Sequence, residues 1–110
     1  MINFDDFEKV DIRVGTIIES KLNDKSNKPS FLLVIDFGKK IGLKKTSAQL
    51  NKNYNPKELI GIQVAAVVNF PPKQIGKMIS DVLVLGFPDE DKNPILVIPS
   101  KKVINGGKLF

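Results

Sequence analysis

The apolar residues of the chain fall into five short runs, namely residues 10–19, 31–37, 41–46, 62–68 and 82–87. The runs are rich in β-branched residues and are bounded by turn formers such as Gly38, Gly61 and Pro88, as strands are. The first run alternates with a period of two, and one of its faces carries Val10, Ile12, Val14, Thr16 and Ile18. It predicts a half-buried strand, and Gly15 in its middle favours the sharp bend of a barrel strand.

Two segments carry the signals of a helix start. Near the N-terminus, Asp5 is followed three residues later by Glu8, which predicts a capping box and one helical turn. The second segment begins with Asn55 as cap and Pro56 at the first helical position, and Gly61 follows its end. It predicts one short helix between the third and fourth apolar runs.

Five short strands at hairpin spacing, with a helix between the third and the fourth, have the element order of an OB-fold barrel. We therefore predict an all-β fold, a five-stranded OB-fold barrel with a short N-terminal helical turn and a C-terminal β extension. A chain of 110 residues has room for one hydrophobic core, so we expect residues 1–110 to form a single domain.

Both ends of the chain carry apolar side chains that a chain of this size cannot easily bury alone. They are Phe4, Phe7, Ile95, Val97, Val103, Ile104, Leu109 and Phe110. We expect residues of about 1–9 and 88–110 to act as dimerisation extensions of a symmetric homodimer.

The composition narrows the possible functions. The net charge is +5, and Arg13 is the single arginine among 17 basic residues, which favours loose contact with acidic partners over readout of base edges. The chain has no His and no Cys, which excludes the common nucleophilic triads and thiolate or imidazole metal sites. We expect no enzyme activity, no metal and no cofactor.

The N-terminus lacks a basic region followed by an apolar run, and no segment is long enough to span a bilayer. We therefore expect a soluble, cytoplasmic protein without membrane insertion.

Residues 69–79, between the last two apolar runs, read as a stiff and unusually apolar loop. The segment opens with Asn69, Phe70, Pro71 and Pro72 and continues with Lys73, Ile75, Lys77, Met78 and Ile79. Such a loop is typical of a ligand contact, although Phe70 and Ile75 could equally fold back as a lid on the core. Lys39, Lys40, Lys44 and Lys45 fit either a solvated strand edge or a patch that faces phosphates.

Several motifs together resemble the CsaA family. They are DFEKVDIRVGTI at 6–17, VIDFG at 34–38, SAQL at 47–50, NFPPKQIG at 69–76 and SDVLVLG at 80–86. The resemblance covers nearly the whole chain and implies a homodimeric, secretion-related chaperone. It also implies the OB-fold of the tRNA-binding domains of methionyl-tRNA synthetases and of free-standing tRNA-binding proteins.

The chain departs from the tRNA-binding relatives in the same segment. Where those proteins typically have a lysine and a small residue, this chain has Pro71 and Val82, and Asp81 adds a negative charge. Each difference makes the site more apolar or less cationic, which suits an unfolded peptide better than a polyphosphate.

The resemblance therefore implies an ATP-independent chaperone that holds unfolded or pre-secretory polypeptides, and the sequence has no Gly-rich nucleotide loop. The expected peptide-binding residues are Ser47, Gln49, Asn69, Phe70, Pro71, Pro72, Ile75, Met78 and Ile79. Ser47, Gln49 and Asn69 would supply hydrogen bonds to the peptide backbone. The alternative is a protein that binds tRNA by its shape, with Phe70 or Tyr54 stacking on an unpaired base. The expected RNA-binding residues are Lys28, Lys45, Lys73, Lys77 and Ser80.

Overall fold

The computed structural model describes residues 1–23, 28–75 and 78–110 and leaves out the side chains of residues 75 and 78. The helices are α1 (Phe4–Glu8), α2 (Gly38–Ile41) and α3 (Pro56–Leu59). The strands are β1 (Ile12–Asn23), β2 (Ser30–Asp36), β3 (Leu43–Ala48), β4 (Gln63–Val67), β5 (Lys73–Ile75), β6 (Met78–Ser80), β7 (Leu83–Val84), β8 (Gly86–Pro88) and β9 (Pro94–Leu96). Across these residues, no helix is long and apolar enough to cross a membrane.

The main sheet is antiparallel, with the strand order β3-β2-β1-β4-β7. A register shift between Ile17 and Glu19 marks an irregularity in β1, where β-bulges bend a strand. Gly15 serves close packing, because a Cβ there would lie 2.6 Å from Cγ2 of Ile35 and 2.8 Å from Cδ1 of Phe37. The curled five-stranded sheet and its few short helices confirm the predicted OB-fold-like all-β class.

The free edge of β3 closes against the chain that follows β6. Thr46 Oγ1 donates to Val82 O at 2.9 Å, and Asp81 N donates to Lys45 O at 2.8 Å. Ser47 N donates to Ser80 Oγ at 2.9 Å. We call residues 45–47 and 80–82 the seam. The seam joins the two ends of the curled sheet, so that the five strands enclose one core.

The core is formed by inward residues of β2 and their neighbours, including Phe31, Leu33, Ile35, Val64 and Leu59, all at most 1% exposed. In β1 the buried residues are Gly15 and Ile17, whereas Ile18 is 40% exposed. The alternating residues that include Ile12, Val14 and Ile18 therefore lie on the outer face of β1. The C-terminal segment pairs with the edge of β1 at this end, with Gly106 N donating to Val14 O and Leu109 N to Ile12 O, both at 2.8 Å. On the outer face, Thr16 Oγ1 donates to Asn105 Oδ1 at 2.8 Å.

The predicted helices are present with one correction. α3 has the expected cap, since Asn55 Oδ1 accepts from Glu58 N at 3.0 Å and Glu58 Oε1 accepts from Asn55 N at 2.7 Å. In α1 the cap is Asn3, paired reciprocally with Asp6, and Asp5 lies within the first turn. Asn3 is one of the strongest N-cap residues, and its position leaves Phe4 inside the helix.

Other strands and helices begin or end at residues that differ from the prediction. β1 extends to Asn23, α2 forms the turn before β3, and the last apolar run is divided between β7 and β8. β8 and β9 form a hairpin, whose turn is closed by Asp89. The side-chain amide of Asn53 and the backbone N–H groups of Asn93 and Asp91 hold the pKa of the Asp89 carboxyl below its usual value.

Candidate ligand-binding surface

The segment predicted as a loop is a β-hairpin of β5 and β6, with Lys73 opposite Ser80 and Gln74 opposite Ile79. Phe70 is 53% exposed and Ile79 is 54% exposed, and neither belongs to the core. The lid interpretation is therefore wrong for Phe70. Pro71, Pro72 and Lys73 are also exposed. Lys77 and the side chains of Ile75 and Met78 lie outside the described residues.

Asn69 fixes the start of this hairpin segment. Its Oδ1 accepts from Asp11 N at 3.0 Å, and its Nδ2 donates to Lys9 O at 2.7 Å. The amide thus holds the end of β4 against the chain that precedes β1. Asn69 positions the neighbouring Phe70, and its main hydrogen bonds are made within the fold.

Ser80 fixes the other end. Its side chain is buried at the seam, where Oγ accepts from Ser47 N and lies 3.5 Å from Thr46 Oγ1. Ser80 was predicted to contact RNA, but it faces the interior and anchors the hairpin on β3. Burial of a hydroxyl requires such partners, and Ser47 and Thr46 supply them.

An open groove lies beside the seam on the outer face of the sheet. The register places Leu32 opposite Ser47 and Val34 opposite Lys45, with Leu32 and Val34 half-buried. We call this feature the groove; its lining residues are Ile18, Glu19, Ser20, Lys21, Leu32, Leu33, Val34, Lys45 and Ile60. Sequence reasoning missed it because the run at 31–37 reads as wholly buried. The alternation of fully and half-buried residues in β2 is the signal that separates the two faces.

Two of the predicted RNA-binding lysines lie at the groove or the seam, and a third precedes β2. Lys45 lines the groove, Lys73 lies opposite Ser80, and Lys28 lies two residues before β2, whose Phe31 faces Ala48 at the end of β3. All three are exposed, as is Gln49 just after β3. Lys39 and Lys40 lie in α2 at the other end of β3, so the predicted cluster of four lysines is divided.

Tyr54 does not share this surface. It packs against the core, and its hydroxyl accepts from Leu96 N at 3.0 Å. Of Phe70 and Tyr54, the two residues predicted to stack on a base, Phe70 is therefore the exposed one. An exposed ring at a fixed position can anchor either an apolar side chain or a base.

A second apolar surface is formed by the two ends of the chain. Phe4 and Phe7 line a groove with Leu109 and Phe110, and Lys108 Nζ donates to Glu8 O at 3.2 Å. Ile104 is 88% exposed. Polar contacts hold the C-terminal segment in place: Arg13 bonds Asp11 Oδ1 at 2.6 Å and Gly106 O at 2.9 Å, and Gln63 Nε2 donates to Val103 O at 2.7 Å.

Comparison with known proteins gives a consistent picture. The family model described as a putative tRNA binding domain matches residues 12–108. The solved structure of the chaperone CsaA of Bacillus anthracis strain Ames is 44% identical with a TM-score of 0.94 and covers 100% of this chain and 99% of that chain. The CsaA chaperone protein of Picrophilus torridus is 46% identical with a TM-score of 0.90, and each chain is covered completely.

Curated relatives are much longer proteins. The methionine–tRNA ligase of Methanococcoides burtonii is 37% identical over 106 residues, which are 96% of this chain and 15% of the ligase. This chain therefore spans about 15% of the length of such ligases. The similarity concerns one domain of those enzymes.

Proposed function

Because the chain belongs to the family of putative tRNA-binding domains and, within it, to the CsaA chaperones, we propose that it holds unfolded or pre-secretory polypeptides without ATP. The observation that carries the proposal is the exposure of Phe70, just before the hairpin, and of Ile79, on β6, although Asn69 and Ser80 fix both ends of this segment within the fold. A rigid apolar surface loses little entropy when it binds, so it can bind apolar segments of many sequences.

In this proposal an extended polypeptide lies along the hairpin and the groove. Phe70, Pro71, Pro72 and Ile79 contact its apolar side chains, with Ile75 and Met78 expected to contribute on the same hairpin. The half-buried Leu32 and Val34 continue the apolar surface across β2. Ser47 and Gln49 would contribute hydrogen bonds to the peptide backbone, while Asn69 keeps Phe70 in position.

The protein would act as a homodimer in the cytoplasm, as a binding protein with no enzymatic activity and no cofactor. The exposed apolar residues of about 1–9 and 88–110 support this assembly, because Phe4, Ile104 and Phe110 are 67%, 88% and 106% exposed. Monomeric proteins rarely expose apolar patches of that kind. A two-fold axis through these extensions would give each dimer two polypeptide-binding surfaces.

Binding of tRNA is the second candidate function. The family model favours it, as do the exposed Lys45 and Lys73 at the seam and the exposed Lys28 before β2. Lysines of this kind contact phosphates without reading sequence, so recognition would depend on the shape of the tRNA.

Fluorescence anisotropy with a labelled, permanently unfolded polypeptide tests the first function. We expect saturable binding without nucleotide, and we expect Phe70→Ala to weaken it by about 1–3 kcal/mol because an anchor ring is lost. Phe87→Ala is the control, since it removes a ring that is 68% exposed on β8. Equal binding by the wild type and by both variants would show that the hairpin is not the binding surface.

A further inference from the structure

Asp81 lies in the middle of the seam, and its carboxylate is held in a fixed position. Its backbone N donates to Lys45 O at 2.8 Å, and its Oδ2 accepts from Lys45 N at 3.2 Å. The two bonds form a closed ring with the backbone of β3, and the side chain is half-buried. Oδ1 has no such bond in the described part of the chain. The carboxylate is thus oriented at the surface and is not a mobile side chain.

Two exposed lysines belong to the backbone segments next to this carboxylate. The backbone N of Lys45 is its bonded neighbour, and Lys73 lies opposite Ser80, the residue that precedes Asp81. Within residues 1–23, 28–75 and 78–110 the ion pairs are Lys9–Asp6 and Arg13–Asp11. Asp81 therefore makes no ion pair with Lys45 or Lys73, so neither lysine neutralises its negative charge.

We propose that Asp81 is a specificity-determining residue, which disfavours nucleic acid at a surface that accepts polypeptide. A phosphate drawn to Lys45 and Lys73 would come close to a fixed carboxylate and be repelled by it. The backbone of an unfolded polypeptide is neutral and meets no such repulsion. The inference rests on the proposed function, because it assigns both ligands to the same surface.

Asp81→Asn is the direct test, because the amide oxygen can still accept from Lys45 N while the charge is removed. With labelled tRNA in an anisotropy titration at low salt, we expect the affinity to rise about fivefold, the effect of removing one repulsion between unit charges about 4 Å apart in water. The gain should shrink as salt is raised, since the repulsion is screened. Binding of the unfolded polypeptide should stay within about twofold of the wild type.

Asp91→Asn is the matched control, because it makes the same change in net charge at an exposed residue of the β8–β9 turn. A thermal melt of each variant checks folding, and Asp81→Ser, which is also neutral and can accept a hydrogen bond, repeats the test if Asp81→Asn is unstable. Equal gains from Asp81→Asn and Asp91→Asn, or no gain from either neutral variant, would overturn the inference. Failure of the wild type to bind polypeptide would refute the proposed function, whereas the tRNA affinities of Asp81→Asn and Asp91→Asn could still be compared.

Discussion

Several polar residues on this surface hold the fold in place. Asn69 and Ser80 both occur in motifs that suggest ligand contacts, yet each bonds backbone or side-chain atoms of a neighbouring segment. Arg13 does the same for the C-terminal segment through Gly106 O. Because an exposed ring binds a ligand well only if its backbone is fixed, we expect Asn69 to contribute to ligand binding indirectly, by holding the chain next to Phe70.

Asn69→Ala separates these two roles. It removes hydrogen bonds to Lys9 O and Asp11 N, so we expect the free energy of unfolding to fall by about 1–2 kcal/mol in urea denaturation. Asn69→Asp keeps the acceptor for Asp11 N but puts a carboxylate oxygen where Nδ2 donates to Lys9 O, so it should cost at least as much as Asn69→Ala. Weakened polypeptide binding with an unchanged unfolding midpoint would mean that the amide contacts the ligand directly, contrary to this account.

At the scale of elements, local signals predicted the helix α3 and the strand β2 closely, because helix capping and a short continuous apolar run are recognisable within a few residues. The β5–β6 hairpin was not predicted, since each strand has three residues and Pro71 and Pro72 read as loop. The inward face of β1 was also missed. Its outer face carries the half-buried Ile12 and Val14 and the exposed Ile18, so the hydrophobic pattern cannot distinguish that face from the one that faces the core.

A second prediction at this scale concerns the binding of RNA by lysines of the hairpin and β3. If Lys45 and Lys73 contact phosphates, the double variant Lys45→Ala/Lys73→Ala should reduce the slope of log affinity against log salt by about two units. Lys39→Ala/Lys40→Ala is the control, because these exposed lysines lie in α2 at the other end of β3. Titrations of labelled tRNA at several salt concentrations measure the slope. If the slope falls equally in the two double variants, the effect comes from the overall charge of the protein and not from phosphate contacts of Lys45 and Lys73.

At the scale of the whole molecule, the two ends of the chain complete the barrel on one side and leave apolar residues exposed. The C-terminal segment is clamped by Arg13, Gln63 and Thr16, which fixes the direction in which Ile104 is presented. The sequence composition indicated surplus apolar surface, but only the fold shows that both ends lie side by side through Lys108 and Glu8.

We expect the protein to sediment as a dimer at micromolar concentration. Ile104→Asp/Phe110→Asp should weaken the dimer at least about a hundredfold, because two large apolar side chains no longer find an apolar partner. Leu43→Asp, at a residue of β3 that is 59% exposed, should leave the dimer intact. Sedimentation velocity of the three proteins measures this. A monomeric wild type would refute the role of the extensions.

The central claim is that the hairpin and the groove bind polypeptide in preference to tRNA. The most direct test titrates the wild-type protein in parallel with labelled unfolded polypeptide and labelled tRNA, at about 50 and about 200 mM salt. The account predicts that the affinity for polypeptide changes little between the two salt concentrations, while the affinity for tRNA falls on the order of tenfold or more. At the higher salt, polypeptide should therefore bind more tightly than tRNA. Tighter binding of tRNA at both salts, with no saturable binding of polypeptide, would contradict it.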